Sequence, residues 1–394
     1  MTYPIITLLP KQGRRLRHGY PWVYANEIAI TPAAKALEPG SLVIIADHES
    51  RPLGVGYFNV HSLIAARLLS NDPTSDITRL LQQRLSAALK LRCDLFPGSN
   101  FYRLVHAEGD HLPGLIIDRY GDIVVAQLGT AGMEKLWPAV EGILLKLLNP
   151  RAIVLRNDVP SRQHEQLPLS TRLAHGVVEG TVRVEENGVS YVVDLLEGQK
   201  TGWFFDHRAN RARLAQLAKG KEVLDVFCHS GGFALAAAKA GAAAINGVDE
   251  SKLALEMAAQ GAIENKVSVP ALWHQGSAFK TLEQWKEEGK SFDIVVADPP
   301  AFAPARKDVP KAKRAYRKLA HLAADVTRPH GYLFLACCSY HLTPETFFDE
   351  IAQGIGGARR AGKILWSGGA DMDHPTHPLL PETSYLKGQL WQLD

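Results

Sequence analysis

The chain has 394 residues, of which 46% are hydrophobic and 22% are charged. This composition excludes a disordered protein, and the length predicts two or three domains that each bury a core. The formal net charge is only +3, but basic residues cluster at 11–17 and at 306–318. Such clusters are commonly solvated faces, and they leave nucleic-acid binding open.

Cysteine usage and hydropathy bear on the compartment. The cysteine spacing suits neither a disulfide framework nor a metal site. The four residues are Cys93, Cys228, Cys337 and Cys338. No apolar run reaches membrane-spanning length. We therefore expect a protein of the reducing cytoplasm without a membrane partner, and a homodimer is left open.

Residues 1 to about 75 alternate short apolar stretches with Pro and Gly, as in Ser41–Ala46 and Gly54–Asn59, and predict a small β-rich domain. Within it, Arg14–Ile28 interleaves basic residues with aromatic ones. Proteins that bind single-stranded RNA use this mixture to contact phosphates and to stack on bases. A core aromatic cluster beneath a basic rim is an equally good interpretation of the segment alone.

Residues 76–189 are predicted to form an α+β central domain. A helix over Ile77–Leu91 comes first, followed by a hairpin turning at 120–122, a helix over Met133–Leu148 and a strand over Ala152–Arg156. The polar residues of this domain show no ligand or triad pattern. We interpret these residues as structural or surface groups; they are Asp110, His111, His164 and Glu165.

The third segment, 190–394, is organised around Val223–Glu250. An apolar strand at 223–227 leads into a small-residue turn and then into an Ala-rich helix at 233–240. The turn consists of Ser230, Gly231 and Gly232. This order of strand, glycine turn and helix is typical of a nucleotide-binding βαβ unit.

The ligand expected at this turn is S-adenosylmethionine (SAM). The next strand ends at Asp249 and Glu250, where such units place an acid that binds a ribose. A dinucleotide needs three spaced glycines for its pyrophosphate, whereas only Gly231 and Gly232 are present and Asp225 would repel that group. A carboxylate there suits the ammonium of SAM. An NAD or FAD site and a ligand-free structural turn are the alternatives.

Two further strands are expected to place reactive side chains at the same sheet edge, because ligands of doubly wound sheets bind at the carboxyl ends of the strands. The strand Ile294–Ala297 delivers Asp298, and Tyr332–Cys338 ends in adjacent cysteines, of which only one can face the site. Inert buried cysteines are the alternative. Between them we predict a basic helix over 311–327 and a turn over 328–331. The fold expected is α/β and Rossmann-like.

The segment before the glycine turn, EGQKTGWFFDHR, allows two interpretations. Its aromatic residues, Trp203–Phe205, belong either to the core or to a lid over the cofactor or substrate. The flanking polar residues that favour a lid are Lys200, Asp206 and Arg208.

Together these motifs resemble the RlmI-type methyltransferases, which methylate carbon 5 of cytosine in large-subunit (23S) ribosomal RNA and carry an N-terminal PUA RNA-binding domain. The likeness runs almost end to end. The matching segments, in order, are HGYPWVYANEI, YRLVHAEGDHLPGLIIDRYGD, KTGWFFDHR, DVFCHSGGF, DPPAF, CSYH and DHPTHPLLPETSYLKG.

The resemblance implies a SAM-dependent enzyme that acts on ribosomal RNA or on an assembling large subunit. Cys338 aligns with the family's nucleophile, and Asp298 would hold or protonate the ring-nitrogen edge of the base. Ser277 stands where the family commonly has an acid against the adenine, which predicts weaker cofactor binding. The residues implied at the cofactor are Phe205, Asp225, Phe227, Gly231, Gly232, Asp249, Glu250, Ser277, Ala278 and Asp298.

The resemblance also favours RNA binding by the two basic segments, through phosphate contacts that position the substrate. The residues expected there are Arg14, Arg15, Arg17, Tyr20, Trp22, Lys311, Lys313, Arg314 and Arg317.

Other functions stay open at this point. An RNA methyltransferase acting on an exocyclic nitrogen of guanine or adenine needs no cysteine, and the aromatic Phe302 after D-P-P suits that chemistry. A non-catalytic RNA-binding assembly factor is the alternative from another class, against which the intact acids argue. His374 and His377 suggest a metal, but the prolines beside them and the lack of partner ligands favour a turn and no metal.

Overall fold

The structure is a computed structural model that describes residues 3–198 and 201–394. Within these residues the chain divides into two compact units. The N-terminal unit comprises Met1–Gly180, Leu195–Trp203 and Met372–Thr383. The C-terminal unit comprises Thr181–Asp194, Phe204–Asp371 and Ser384–Asp394. The three expected domain ranges, 1–75, 76–189 and 190–394, stay a prediction.

The first sheet of the N-terminal unit is the β-rich domain expected from the sequence. In the described residues it has five strands in the order β1-β3-β4-β5-β2. They are β1 (Ile5–Thr7), β2 (Trp22–Val23), β3 (Ser41–Ala46), β4 (Pro52–Phe58) and β5 (Ala66–Ser70). Two single-turn helices accompany them, α1 (Arg14–Arg17) and α2 (Pro32–Lys35).

The second sheet forms the α+β part of the same unit, with the strand order β10-β9-β8-β7-β6 over the described chain. Its strands are β6 (Phe101–His106), β7 (Leu115–Tyr120), β8 (Ile123–Leu128), β9 (Ala152–Asn157) and β10 (Ser170–Gly176). Helices α3 (Ile77–Leu95) and α4 (Ala131–Leu148) bury their apolar faces against this sheet. Asp76 caps α3 and Thr130 caps α4, each accepting a main-chain amide.

The C-terminal unit begins with a hairpin of β11 (Val182–Glu186) and β12 (Val189–Val193). Its main sheet has the order β15-β14-β13-β16-β17-β19-β18 within the described residues. The strands are β13 (Glu222–Val226), β14 (Ala244–Asp249), β15 (Ala271–Gln275), β16 (Phe292–Ala297), β17 (Thr327–Cys337), β18 (Gly362–Gly368) and β19 (Lys387–Leu393). The helices are α5 (Arg208–Ala215), α6 (Gly232–Lys239), α7 (Lys252–Glu264), α8 (Ala278–Glu287), α9 (Val309–Asp325) and α10 (Pro344–Gly357).

Strands β15, β14, β13, β16 and β17 are parallel to their neighbours, whereas β19 runs antiparallel to both β17 and β18. This is the Rossmann-like α/β fold expected from the sequence. The carboxyl ends of β13, β14, β16 and β17 therefore meet at one sheet edge, where such folds bind ligands.

The turn predicted at 328–331 lies inside β17 as an interruption of the ladder. Phe292 pairs with Thr327, but Ile294 pairs with Tyr332, so the residues between bulge out of register. His330, within the bulge, has a positive φ of 60°. The prediction was right about a local break, but β17 begins at Thr327, before the break, and not at Tyr332.

The described helices include none with the length and apolar character needed to cross a lipid bilayer.

Candidate active site

Asp225 lies at the end of β13 with a buried carboxylate, 1% exposed. Its Oδ2 accepts hydrogen bonds from the main-chain amides of Phe233 (3.1 Å) and Ala234 (3.0 Å), in the first turn of α6. Its Oδ1 is buried and has no hydrogen-bond partner within the described residues. Burial raises the pKa of Asp225 to about 7. A buried oxygen of this kind requires a donor, and the SAM ammonium expected here would supply both a donor and a positive charge.

Gly231 provides the close backbone approach at the turn. Its φ is +78°, and a Cβ there would lie 2.9 Å from the Trp273 ring. Phe227 also has a positive φ, 64°, and its half-buried ring lies 6.4 Å from the Phe279 ring. The turn is thus fixed by glycine geometry on one side and by an aromatic pair on the other, and Gly232 begins the helix.

Asp249 is fixed at the end of β14 by two main-chain donors. His229 N donates to Oδ2 (2.9 Å) and Ser251 N donates to Oδ1 (2.9 Å). A carboxylate oxygen has more than one lone pair, so both oxygens can accept further bonds from a ribose. Glu250 is exposed, and its main-chain oxygen accepts from the Gln275 side chain at 3.3 Å.

Ser277 and Ala278 lie at the start of α8. Ser277 occupies the N-cap position, but its hydroxyl makes no capping bond to the helix. Ala278 is 3% exposed and belongs to the core below the site. The Ser277 hydroxyl is therefore not committed to the helix, consistent with the single hydrogen bond to the adenine expected from the sequence.

Asp298 follows β16 directly and is about one quarter exposed, at 24%. Its Oδ2 lies 3.1 Å from Nε2 of His207, which is buried. Burial by itself lowers the pKa of His207, but the Asp298 carboxylate outweighs burial and raises that pKa above its ordinary value. The sequence analysis missed His207, although it stands in the quoted segment KTGWFFDHR.

The two adjacent cysteines differ in surroundings, as strand alternation predicts. Cys337, the last residue of β17, is fully buried, whereas Cys338 is half-buried. The Cys338 Sγ lies 3.9 Å from the main-chain oxygen of Pro299, the residue after Asp298. The structure thus brings Cys338 and Asp298 to neighbouring strand ends.

Lys387, at the start of β19, is a second residue that the sequence analysis missed. Its Nζ donates to the main-chain oxygens of Ser339 (2.8 Å) and Leu342 (2.9 Å), in the loop that follows Cys338. Burial lowers the pKa of Lys387, and the thiols of Cys337 and Cys338 oppose that shift. Lys387 stands in SYLKG, the end of a segment that carries the family resemblance, and that position was the signal that could have identified it.

The aromatic residues before the glycine turn are divided between core and site edge. Trp203 and Phe205 are buried. Phe204 is half-buried, and its ring lies edge-on to His229 with centroids 5.5 Å apart. The burial of Phe205 supports the core interpretation for this residue. Lys200, invoked for a lid, lies outside the described residues.

The basic segment of the N-terminal unit mixes paired and exposed side chains. Arg15 lies 4.5 Å above the Tyr20 ring and pairs with Glu27 at 2.9 Å. Arg17 pairs with the buried Asp47 at 2.7 Å. The half-buried Trp22 donates from Nε1 to Glu108 at 2.8 Å, and Arg14 is exposed.

In the basic helix α9 of the C-terminal unit, part of the positive charge is neutralised. Lys313 and Arg317 both pair with the buried Glu350 of α10, at 3.2 Å and 2.7 Å. Lys311 and Arg314 are exposed. We therefore expect Arg14, Lys311 and Arg314 to contribute more to RNA binding than the paired residues.

The two C-terminal histidines occupy structural positions. His374 Nδ1 lies 2.7 Å from Asp373 Oδ1. His377 Nδ1 accepts from the amide of Leu379 at 3.2 Å, in a turn closed by a bridge to Leu380. Within the described residues, no group of three or more His, Cys, Asp or Glu side chains is suited to a metal ion.

Two family models match separate parts of the chain. Residues 6–71 match the family model of a PUA-like domain, and residues 161–360 match that of an S-adenosylmethionine-dependent methyltransferase. A SAM-dependent methyltransferase structure from Streptococcus mutans aligns with a TM-score of 0.82 at 20% identity, covering 99% of this chain and 100% of that one. Another, solved with SAH, aligns at 0.83 and 20% identity and covers both chains completely.

Fold and site thus define a SAM-dependent methyltransferase with an N-terminal PUA-like domain. The ribosomal RNA large subunit methyltransferase I of Shewanella denitrificans is 37% identical over 392 residues, covering 97% of this chain and 98% of the relative. The protein of that name from Pseudoalteromonas atlantica is 33% identical over 387 residues, with the same coverage. The chain belongs to the ribosomal RNA large subunit methyltransferase I family, and SAM is its cofactor.

Proposed function

We propose that this protein methylates carbon 5 of a cytosine in large-subunit (23S) ribosomal RNA, with Cys338 as the nucleophile. The observation that carries the proposal is the placement of the half-buried Cys338 thiol 3.9 Å from the oxygen of Pro299, next to Asp298. A nucleophile and an acid for the base then share one sheet edge. The printed names of the relatives support ribosomal RNA as the substrate class.

The need for a nucleophile follows from the chemistry of cytosine. Carbon 5 is too weakly nucleophilic to accept a methyl group directly, and addition of a thiolate to carbon 6 makes it an enamine carbon. SAM, when bound, supplies the electrophilic methyl group. Asp298 would hold the ring-nitrogen edge of the base as charge develops there. The target cytosine must be unstacked to enter the site.

Lys387 is proposed to favour the thiolate form of Cys338. A positive charge near a thiol stabilises the thiolate, which is the reactive form. The ammonium is fixed by the carbonyl groups of Ser339 and Leu342, and Ser339 directly follows Cys338. The charge therefore stays beside the nucleophile during the reaction.

The reduced cysteines fit a cytoplasmic protein, which is where we propose that it acts.

The first test is mass spectrometry of nucleosides from unmodified ribosomal RNA incubated with the protein and isotope-labelled SAM. The proposal predicts labelled 5-methylcytidine. Labelled guanosine or adenosine would replace the cytosine mechanism with methylation of another base. Absence of any label, although SAM binds, would favour a binding function. Both free RNA and isolated subunits are tested, so that a negative result does not come from offering the wrong form of the substrate.

Replacement of the nucleophile tests the covalent step. Cys338→Ala should reduce methyl transfer by at least about 10³-fold while SAM binding is retained. The matched control is Cys337→Ala, because Cys337 is buried one residue away and faces the core. Full activity of Cys338→Ala would end the covalent mechanism, whereas equal losses in both variants would indicate a folding effect, which thermal melting would reveal.

A further inference from the structure

His207 and Asp298 form a pair with one buried and one open member. The His207 ring is enclosed edge-on by Phe233 and Phe334, with centroids 5.4 Å and 6.3 Å away. The Asp298 side chain is 24% exposed, compared with 3% for His207. Within the described residues, Asp298 is thus the member of the pair that is open to the reaction site, and His207 contacts it from the buried side.

A neighbouring amide orients the imidazole. Asn210 Nδ2 lies 3.0 Å from His207 Nδ1 and 3.3 Å from the main-chain oxygen of Gly369. Because this amide nitrogen donates, Nδ1 accepts, and Nε2 carries the hydrogen that it donates to Asp298. Asn210 Oδ1 is buried without a partner within the described residues. A protonated ring needs an acceptor at Nδ1, and rotation of the amide would supply Oδ1 there at the cost of the hydrogen bond to Gly369.

Charged groups of the described residues act on the pKa of His207 in opposite directions. Asp298 and Asp206 favour its protonated form, and Arg211 opposes it. Arg211 is itself held by Glu186, at 2.7 Å and 2.8 Å, which compensates its charge. Asp206 Oδ2 accepts a hydrogen bond from the Tyr385 hydroxyl at 2.6 Å. Burial lowers the pKa of His207, but the two carboxylates leave the net direction upward.

We propose that His207 is a positioning residue that holds one proton in the His207–Asp298 pair and delivers it, through Asp298, to ring nitrogen N3 of the target cytosine. This inference rests on the function proposed above. It assigns to a buried histidine the proton that thiolate addition requires, which a lone carboxylate at neutral pH does not hold.

The proton balance is closed over the reaction. When the Cys338 thiolate adds to carbon 6, the S–C6 bond forms and the C5=C6 electron pair moves to C4–C5. The C4=N3 electron pair moves onto N3, which takes the proton held by His207 and Asp298. SAM would then supply the methyl group: the C4=C5 electron pair would form the bond from carbon 5 to that group, the bond from the group to the SAM sulfur would break, and the C4=N3 bond would return with N3 still protonated. The proton of carbon 5 then leaves to water, the C5=C6 bond returns, and the C6–S bond breaks to release the thiolate. N3 then returns its proton to His207–Asp298, which is restored.

The test is the pH profile of single-turnover methyl transfer by the full-length protein with ribosomal RNA and SAM. Wild type should lose activity as pH rises through the raised pKa of His207, because the pair then has no proton to give. His207→Gln keeps an N–H donor for Asp298 but cannot carry that proton. The falling limb of this variant's pH profile should move to lower pH. Relative to wild type, its rate of methyl transfer should fall about 10²-fold at pH 8 and less at pH 6, while its affinity for SAM stays unchanged.

The matched control is His321→Gln, because His321 forms another His–Asp pair, with Asp325 at 3.2 Å on α9. This variant should keep the wild-type profile. If His207→Gln does not fold, Asn210→Asp serves instead, since a carboxylate beside Nδ1 should move the falling limb to higher pH. A limb that stays in place in the folded variants would overturn the inference alone. Absence of 5-methylcytidine with wild type would overturn both proposals.

Discussion

Asp225 and Asp249 stand at the ends of adjacent parallel strands, but their carboxylates have different surroundings. Asp249 has a main-chain donor on each oxygen. Asp225 has two donors on Oδ2, whereas Oδ1 is buried without a described partner, and burial raises its pKa to about 7. We therefore expect the ionisation of Asp225, rather than that of Asp249, to depend on the ligand.

We predict that SAM binding releases a proton from Asp225 below about pH 7. A raised carboxyl pKa means that the free protein keeps this proton at pH 6, and the SAM ammonium favours the ionised form. Titration calorimetry in buffers of different ionisation enthalpy should give a release of nearly one proton at pH 6, and about half a proton at pH 7.

The control for this measurement is Asp225→Asn, which should bind SAM more weakly and lose the proton release. Subtraction of its signal removes any contribution from the SAM amino group. A binding enthalpy at pH 6 that does not depend on the buffer would contradict the prediction.

Some residues of the candidate site carry a local sequence signal, and others do not. Asp249 and Asp298 were selected because each ends or directly follows an apolar strand, which is a local signal, whereas Cys338 was distinguished from Cys337 by the family resemblance. His207 lacks that signal, because its role depends on Asp298, which lies far from it in the chain. A contact between distant residues is decided by the packing of the elements.

At the scale of elements, the unit from β13 through α6 to β14 follows local rules closely. Its glycine turn, Ala-rich helix and terminal acid are each a short-range preference. Ser251 caps the next helix by accepting from the Ala254 amide at 3.2 Å. These preferences agree with one another, which explains why the segment was predicted nearly to its observed bounds.

Gly231→Ala should destabilise the protein more than Gly220→Ala. Both glycines have φ above +70°, which costs about 1–2 kcal/mol for a residue with a Cβ. Only at Gly231 would the Cβ also meet a ring, Trp273 at 2.9 Å, which adds about 1–3 kcal/mol of overpacking. Chemical denaturation of the two variants measures the difference.

SAM affinity provides a second measure for the same pair. It should fall in Gly231→Ala and stay at the wild-type value in Gly220→Ala, whose Cβ would enter open space. Equal effects of the two substitutions would show that the turn tolerates a side chain.

Several strands that were not predicted share one property. Strands β10, β11, β18 and β19 are antiparallel, and none directly precedes a recognised motif. The bulge in β17 was taken for a turn because residues 328–331 contain Pro and Gly, which are local breakers. Pairing with β16 and β19 keeps that strand in the sheet on both sides of the bulge.

At the scale of the whole molecule, positive charge is distributed over exposed and paired side chains in both units. Arg17 has the buried Asp47 as its partner, and Lys313 and Arg317 share the buried Glu350. Removal of a paired cation would strand a buried carboxylate and destabilise the fold. Exposed Arg14 and Arg314 are therefore the cleaner tests of RNA contact.

If these residues contact phosphates, Arg14→Ala and Arg314→Ala should each weaken RNA binding and reduce the slope of log affinity against log salt by about 1. Filter binding or anisotropy between low and physiological salt measures both quantities. Lys90→Ala is the control, because Lys90 is exposed on α3 and pairs with Asp94 at 2.7 Å. A slope unchanged from wild type in the arginine variants would remove these residues from the interface.

The sequence by itself determined the strand, turn and helix order around Gly231, the acids at the strand ends, the basic segments and the family resemblance, because these depend on short-range preferences and motif order. Tertiary structure alone decided which cysteine lies half-buried beside Pro299, which cations are neutralised, and that His207 and Lys387 stand behind Asp298 and Cys338. Those facts depend on pairing and burial between distant segments, where solvation and charge are set by neighbours that the linear chain does not identify.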